Sequence, residues 1–212
     1  GSEKIIDEYC KKYPEIVRKV KMPQNSKGSG VINKGVEVSQ GEFVMVVDND
    51  DYLHPEALEK MVCAADREQA DVVDSNFRLV DEEGNTLQIE ESNTKEQIGR
   101  IDDAKRRSLF VNPGRRLSKI IKRQLIVENG LGYPENVCYG DNYFMELLMG
   151  YVSHIAKVEE PLYNYFVSTG SITRKYNNPI TYDRVKSARL MLEELKKRSF
   201  YEKYQEEIEF RF

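Results

Sequence analysis

Residues 41–55, GEFVMVVDNDDYLHP, constrain the fold of this chain more than any other stretch. Phe43 to Val47 is an unbroken apolar run rich in β-branched side chains, bounded by Gly41 and by acids. Such a run reads as a strand buried on both faces, the kind found in the middle of a parallel sheet. It ends in Asp48, Asn49, Asp50 and Asp51, and Pro55 is placed as the first residue of a new helix. Open α/β sheets bind ligands at the carboxyl ends of their strands. Asp48 and Asp50 are two apart on an extended segment and project to one side. They are candidates for ligating a hard divalent cation, which completes its shell from water and phosphate and so points to a diphosphate substrate. The local alternative is that the acids cap the following turn and helix.

The 212 residues suit one domain. A net charge of −4 argues against a general nucleic-acid partner. Cys10, Cys63 and Cys138 are widely spaced and odd in number, so free thiols are expected. No apolar run approaches the ~20 residues that span a bilayer.

Periodicity and breakers predict the following order. A helix runs from Ser2, its cap, to Tyr13, with Ile5, Ile6, Tyr9 and Cys10 on one face. A short strand, Ile16–Val20, and a loop, Pro23–Gly30, come next. A helix from Ser29 to Ser39 is interrupted at Gly35. After the 43–47 strand, a helix spans Pro55–Gln69, with Leu58, Met61, Val62 and Ala65 inward. A strand at 71–80 turns at Asp81–Asn85 into a hairpin arm at 86–92. Helices follow at 95–110 and 122–128, around a short apolar stretch, Leu117–Ile121. A helix at 142–149 is capped by Asp141. Two strands, 154–158 and 162–167, are joined by a turn at 159–161. An amphipathic helix at 179–198 and a further helix close the chain. The early alternation of helix and strand indicates a parallel α/β sheet.

Two further places carry chemistry. Asp141 follows Gly140 at a helix start and reads as a plain N-cap or as a general base. Lys27–Gly30, KGSG, precedes a helix and reads as a simple turn or as a close approach to phosphate.

In order and spacing these pieces resemble the family 2 glycosyltransferases, of GT-A fold. The resemblance is carried by Asn25 with Gly28 or Gly30, by Asn33-Lys34-Gly35, by Gly41-Glu42-Phe43, by the DXD-like Asp48-Asn49-Asp50-Asp51, and by Pro55 with Leu58. It continues through Ala70–Val73, Leu117-Ser118-Lys119 with Leu125-Ile126, Tyr139-Gly140-Asp141 with Phe144, Pro161–Tyr165 and Gly170–Thr173. It implies an α/β fold whose mixed, mainly parallel sheet is flanked by helices. One domain, 1–212, would hold a nucleotide-sugar and metal half at about 1–92, an acceptor and catalytic half at about 93–175, and a C-terminal helical segment at about 176–212.

By position in that family, Asp50 with Asp48 would hold Mn²⁺ or Mg²⁺. Asp48, Asp51, Asn33 and Gly30 would serve the donor, with a UDP-sugar first in line. Asp141 would be the base, and Lys119 would hold acceptor or phosphate unless it is a solvated surface lysine. The implied activity is inverting sugar transfer to a glycan or lipid-linked hydroxyl in surface polysaccharide synthesis. No nucleic acid takes part. The implied place is the cytoplasm, at the inner face of the membrane, with peripheral contact to it.

The family begins with a strand, a helix and a second strand that reads the nucleotide, and the chain starts after them. In the family's sheet those two strands lie between the segments assigned here to Ile16–Val20 and Phe43–Val47, so the expected sheet is incomplete at its N-terminus. Val31-Ile32 stand for Ala-Arg, Gly140 for glutamate, and Arg115 or Arg116 for tryptophan. The missing strands, Ile32 and Gly140 keep a second reading open, a catalytically silent glycosyltransferase-like module that binds sugar or a partner protein; a third is a nucleotidyltransferase with a related sheet, which also uses carboxylates and metal.

Overall fold

The computed structural model describes residues 1–22, 27–167 and 179–211. Its centre is β3 (Val72–Val80), buried along nearly all of its length. Successive side chains on a strand point to opposite faces. Val72 accordingly joins one core, with Leu109, Phe110, Leu148 and Ile155, and Val73 joins the other, with Met61, Ala65, Ile120 and Ala156.

The sheet runs in the order β1 (Phe43–Val44), β6 (Lys119–Lys122), β3, β7 (His154–Phe166), β2 (Tyr52–Leu53). Two further strands, β4 (Thr86–Glu90) and β5 (Gly99–Arg100), pair with β3 and β7 respectively. One face is covered by α3 (Ala57–Glu68). The other carries α4 (Asp103–Val111), α6 (Gly140–Tyr151), α7 (Asp183–Lys197) and α8 (Gln205–Glu209). This is the expected α/β architecture with helices on both faces of a mixed sheet. The expectation of mainly parallel pairing is corrected. Only β3 and β7 run parallel, and the other pairings are antiparallel. A parallel neighbour needs a long crossover, and the passage through α6 into β7 is the one that returns on a β3 edge in the same direction.

The stretch 43–47 is also not a central strand. Only Phe43 and Val44 pair, antiparallel to Ile121 and Lys122, and β1 lies at the end of the strand order. No strand among the described residues takes up its outer edge, so Phe43–Val46 are half-buried and Val47 is exposed. Ile16–Val20 forms no strand for the same reason, having no sheet neighbour to pair with. The first helix, α1 (Ser2–Lys12), has Gly1 rather than Ser2 as its cap and buries none of its residues.

Other boundaries shift locally. The second helix, α2 (Lys27–Val38), begins earlier than expected and passes through Gly35 without a break. On α3, Ala57, Met61, Ala64 and Ala65 face inward, while Leu58 and Val62 stay exposed. The expected long helix at 95–110 is a 3₁₀ turn, Lys95–Gln97, then β5, then α4, because Gly99 takes a positive φ of 95° and Asp102 starts a new helix by accepting from Lys105 N. The two expected strands at 154–167 are one, β7, whose Glu159–Pro161 portion is a register shift against β3 rather than a turn. The strand at 72–80, its turn at Asp81–Asn85 and the β4 arm stand as expected. Asn25 and the Gly170–Thr173 segment lie outside the described residues.

Candidate active site

Antiparallel pairing fixes where the chemistry gathers. Val44 stands opposite Ile121 and Phe43 opposite Lys122, so the end of β1 and the approach to β6 meet at one edge of the sheet. The acids of 48–51 leave from the first, and Arg116 precedes the second.

At that edge the chain turns, with Asp51 N donating to Asp48 O at 3.1 Å, and then enters β2 against β7. Asp51 ties the turn to the far end of β7. One of its oxygens accepts from the Tyr163 hydroxyl at 2.5 Å and the other from Phe166 N at 2.9 Å. Burial raises the Asp51 pKa, and the Tyr163 hydrogen bond pulls the other way. Tyr163 also accepts from Asp48 N at 3.3 Å. Asp50 is exposed.

Asp48 is met by Arg116. One guanidinium nitrogen lies 3.0 and 2.8 Å from the two Asp48 oxygens, and another donates to the Val46 carbonyl at 3.3 Å. The Arg116 Nε is 3.3 Å from an oxygen of Asp141. Asp48 and Asp141, far apart in sequence, thus face one cation. The Arg116 side chain is only 7% exposed. Burial opposes its charge, but Asp141 and Asp48 outweigh that and hold it firmly protonated.

Asp141 is not the N-cap of α6. Tyr139 occupies that position in a left-handed conformation, φ 62°, and makes no side-chain cap, which leaves the Asp141 carboxylate in the first helical turn, turned to Arg116. Its side chain is 54% exposed, so an incoming hydroxyl can reach it. The surrounding protein still raises its pKa through burial, with the Arg116 charge opposing and Asp48 adding. A carboxylate with a raised pKa is a better base near neutrality. Gly140 has a steric reason for standing where the family has glutamate. A Cβ there would meet Ser29 Oγ at 3.0 Å and Pro134 Cδ at 3.1 Å, so glycine lets the 132–140 segment close onto α2.

The remaining predicted residues do other work. Asn33 on α2 braces that same segment, donating to Tyr133 O at 2.9 Å and accepting from Tyr133 N at 2.8 Å. Gly30 lies in the first turn of α2, half-buried. Lys119 does not face the site. It is completely buried on β6, its ammonium 2.6 Å from Asp74 on β3, and Lys157 on β7 reaches the other Asp74 oxygen at 2.7 Å. The apolar residues around Lys119 cannot solvate its charge, so Asp74, directly opposite in the ladder, claims it. Residues that sequence reasoning undervalued are Tyr163, hidden in the Pro161–Tyr165 motif, and Arg116, noted only as a departure from tryptophan. A partial signal existed for Arg116: an arginine leading into a buried strand needs an acid partner, but the sequence does not say which acid.

The model of the family described as Glycosyl transferase family 2 matches residues 1–120. The chain is 26% identical over 188 residues to the putative glycosyltransferase EpsH of Bacillus subtilis, covering 85% of this chain and 54% of that protein. It is 27% identical over 135 residues to the poly(ribitol-phosphate) beta-glucosyltransferase of Bacillus spizizenii, covering 63% of this chain and 20% of that protein. The chain therefore spans about half the length of the first relative and a fifth of the second. The fold superposes on residues 1–349 of S. aureus TarS, solved in complex with UDP-GlcNAc, with a TM-score of 0.68 and 21% identity, covering 87% of this chain and 52% of that one.

Proposed function

Because this chain belongs to glycosyl transferase family 2, we propose that it carries the centre of an inverting transferase, which moves a sugar from a nucleotide-diphosphate donor to a hydroxyl acceptor in polysaccharide synthesis. One observation carries this reading: Asp48, from the strand tip, and Asp141, from the start of α6, converge on one buried guanidinium. In the reaction, Asp141 takes the acceptor hydroxyl's proton. The oxygen attacks the anomeric carbon from the face opposite the diphosphate, and the sugar–phosphate bond breaks with its electron pair leaving on phosphate. Inversion follows from that geometry. The UDP-GlcNAc bound by TarS supports a UDP-sugar as the donor. The acceptor is taken to be a glycan or lipid-linked hydroxyl at the inner face of a membrane; the poly(ribitol-phosphate) in one relative's name supports a hydroxyl-bearing polymer as the acceptor class. No helix among the described residues is long and apolar enough to cross one.

A family cation would sit at Asp48 and Asp50, and the arrangement described does not fit one. Asp48 gives both oxygens to Arg116, and Asp51 gives both to Tyr163 and Phe166. Among the described residues no three His, Cys, Asp or Glu side chains converge as ligands. No step above is routed through a metal. The engagement of Asp48 and Asp51 also favours a second reading, a silent module that binds donor without turnover.

The two separate in a transfer assay with UDP-sugars and glycan acceptors. Asp141→Asn is expected to lower turnover by about 10²–10⁴-fold while donor binding persists. Donor binding by the unmutated chain with no transfer to any acceptor favours the silent module. Release of sugar 1-phosphate instead of UDP, with the uridylyl group on the acceptor, assigns the chain to nucleotidyl transfer, and a retained anomer in the product overturns inversion.

A further inference from the structure

Arg116 is built into its position, unlike a surface arginine that happens upon an acid. Its backbone neighbour is fixed on both sides: Ser92 Oγ accepts from Arg115 N at 2.7 Å and donates to Arg115 O at 3.3 Å. Lys119 Nζ holds the same Ser92 Oγ at 2.6 Å and is itself locked to Asp74. Between them Ser118 adopts a left-handed φ of 66°, aiming the 115–117 segment at the tip of β1. Beside the guanidinium lies a second polar group the fold does not use. The Tyr133 hydroxyl is buried, has no hydrogen-bond partner among the described residues, and interacts electrostatically with Arg116, Asp141 and Asp48.

The charges at this edge do not balance. Asp48 and Asp141 meet the Arg116 guanidinium, and Asp50 and Asp51 add negative charge beside Asp48. A diphosphate adds negative charge, so it enters only with added positive charge or with a cation released from an acid. Among the described residues Arg116 is the cation in contact with two of the acids, and its five N–H donors match phosphate oxygens as well as carboxylate ones.

We infer that Arg116 stands where a divalent cation would and excludes it from Asp48: the guanidinium holds both oxygens of that acid, so the cluster is a poor cation site while Arg116 is in place. The disagreement between a family that uses a metal and a site whose first acid is already paired is then a feature of the resting protein. The bearing of this exclusion on catalysis rests on the sugar-transfer reading, in which the donor brings a diphosphate to this edge.

The test uses Mn²⁺ alone, titrated calorimetrically into the 212-residue chain and its variants. Arg116→Gln is expected to bind Mn²⁺ roughly tenfold tighter than the unmutated chain, the scale of one charge-assisted pair. Adding Asp48→Asn to it is expected to remove the gain. A disrupted fold loses affinity rather than gaining it, so the direction of change separates exclusion from damage. Arg116→Lys keeps a buried cation but lacks the fork that spans two carboxylates, and it is expected to fall between the two. Affinity no higher than the unmutated chain's in both Arg116 variants overturns the inference, and so does an absence of Mn²⁺ binding in all of them. No donor or acceptor enters this titration. A failure of sugar transfer beside a positive titration therefore overturns the proposed function and leaves the exclusion standing.

Discussion

Around β3 and β7 the side chains of α4, α6, α7 and α8 interlock. Phe110 packs on Tyr204 with ring centroids 4.8 Å apart, Tyr133 stacks on Phe144 at 4.5 Å, and Leu148, Met149 and Leu195 are fully enclosed. Around β1 the same chain makes little cover for itself. Grooves of about 560 and 440 Å³ flank the strand, one beside Leu58 and Val62, the other beside Val31 and Val36. Ile5, Tyr9 and Ile16 stand in the open. The packed side is dry enough to make unpaired charge costly, and its charges are consequently paired: Lys119 and Lys157 on Asp74, Arg211 on Glu146. The open side keeps its charge in water. The site lies on the seam. Arg116 is held from the packed side, and the acids it meets come from the tip of the open strand and the start of α6.

Substitutions that treat the two sides alike will break this comparison. The largest effect is expected at Lys119→Ala. It leaves Asp74 buried with one cation fewer, and loss of one partner of a buried pair costs about 3–5 kcal/mol. Urea unfolding measures it, and a loss below ~1 kcal/mol would show that the β6–β3–β7 ladder tolerates an open charge. The next effect concerns pH. Burial pushes Glu146 up to about 8, against the pull of Arg211. A carboxyl with a raised pKa binds its proton more tightly in the folded state. Its contribution is therefore complete below the ordinary value of 4.5 and is lost as pH rises toward 8, at up to about 1.4 kcal/mol per pH unit. Glu146→Gln is expected to flatten that slope in melts across the same window; an unchanged slope would place its origin elsewhere. The smallest effect is expected on the open side. Ile5→Ser on α1 removes a side chain that is 58% exposed and is expected to shift stability by no more than about 0.5 kcal/mol. A larger loss would mean that the α1 face is covered in solution.

Much of the fold was legible in the residues, and the misses share a cause. The run VVDSNFRLV announced β3 because both of its faces meet apolar layers. FVMVV made the same announcement falsely, since an apolar β-branched run shows that a segment seeks burial but does not supply the neighbour that buries it. The Glu159–Pro161 stretch read as a turn, yet pairing with β3 carries the strand through it. Lys119 read as a site residue from its motif, whereas the register placed Asp74 opposite and drew it inward.

The sequence by itself determined the identities and order of the pieces: the acids after an apolar run, an aspartate at the start of a helix, the alternation of helix and strand, the family. Those depend on local chemistry and on spacing along the chain. Tertiary structure alone decided which of the acids act together. Asp48 and Asp141 meet because β6 returns antiparallel to β1 and carries Arg116 to its tip, while Asp51 turns away to Tyr163. Which carboxylate reaches which partner depends on distance in space, which strand pairing sets and separation along the chain does not.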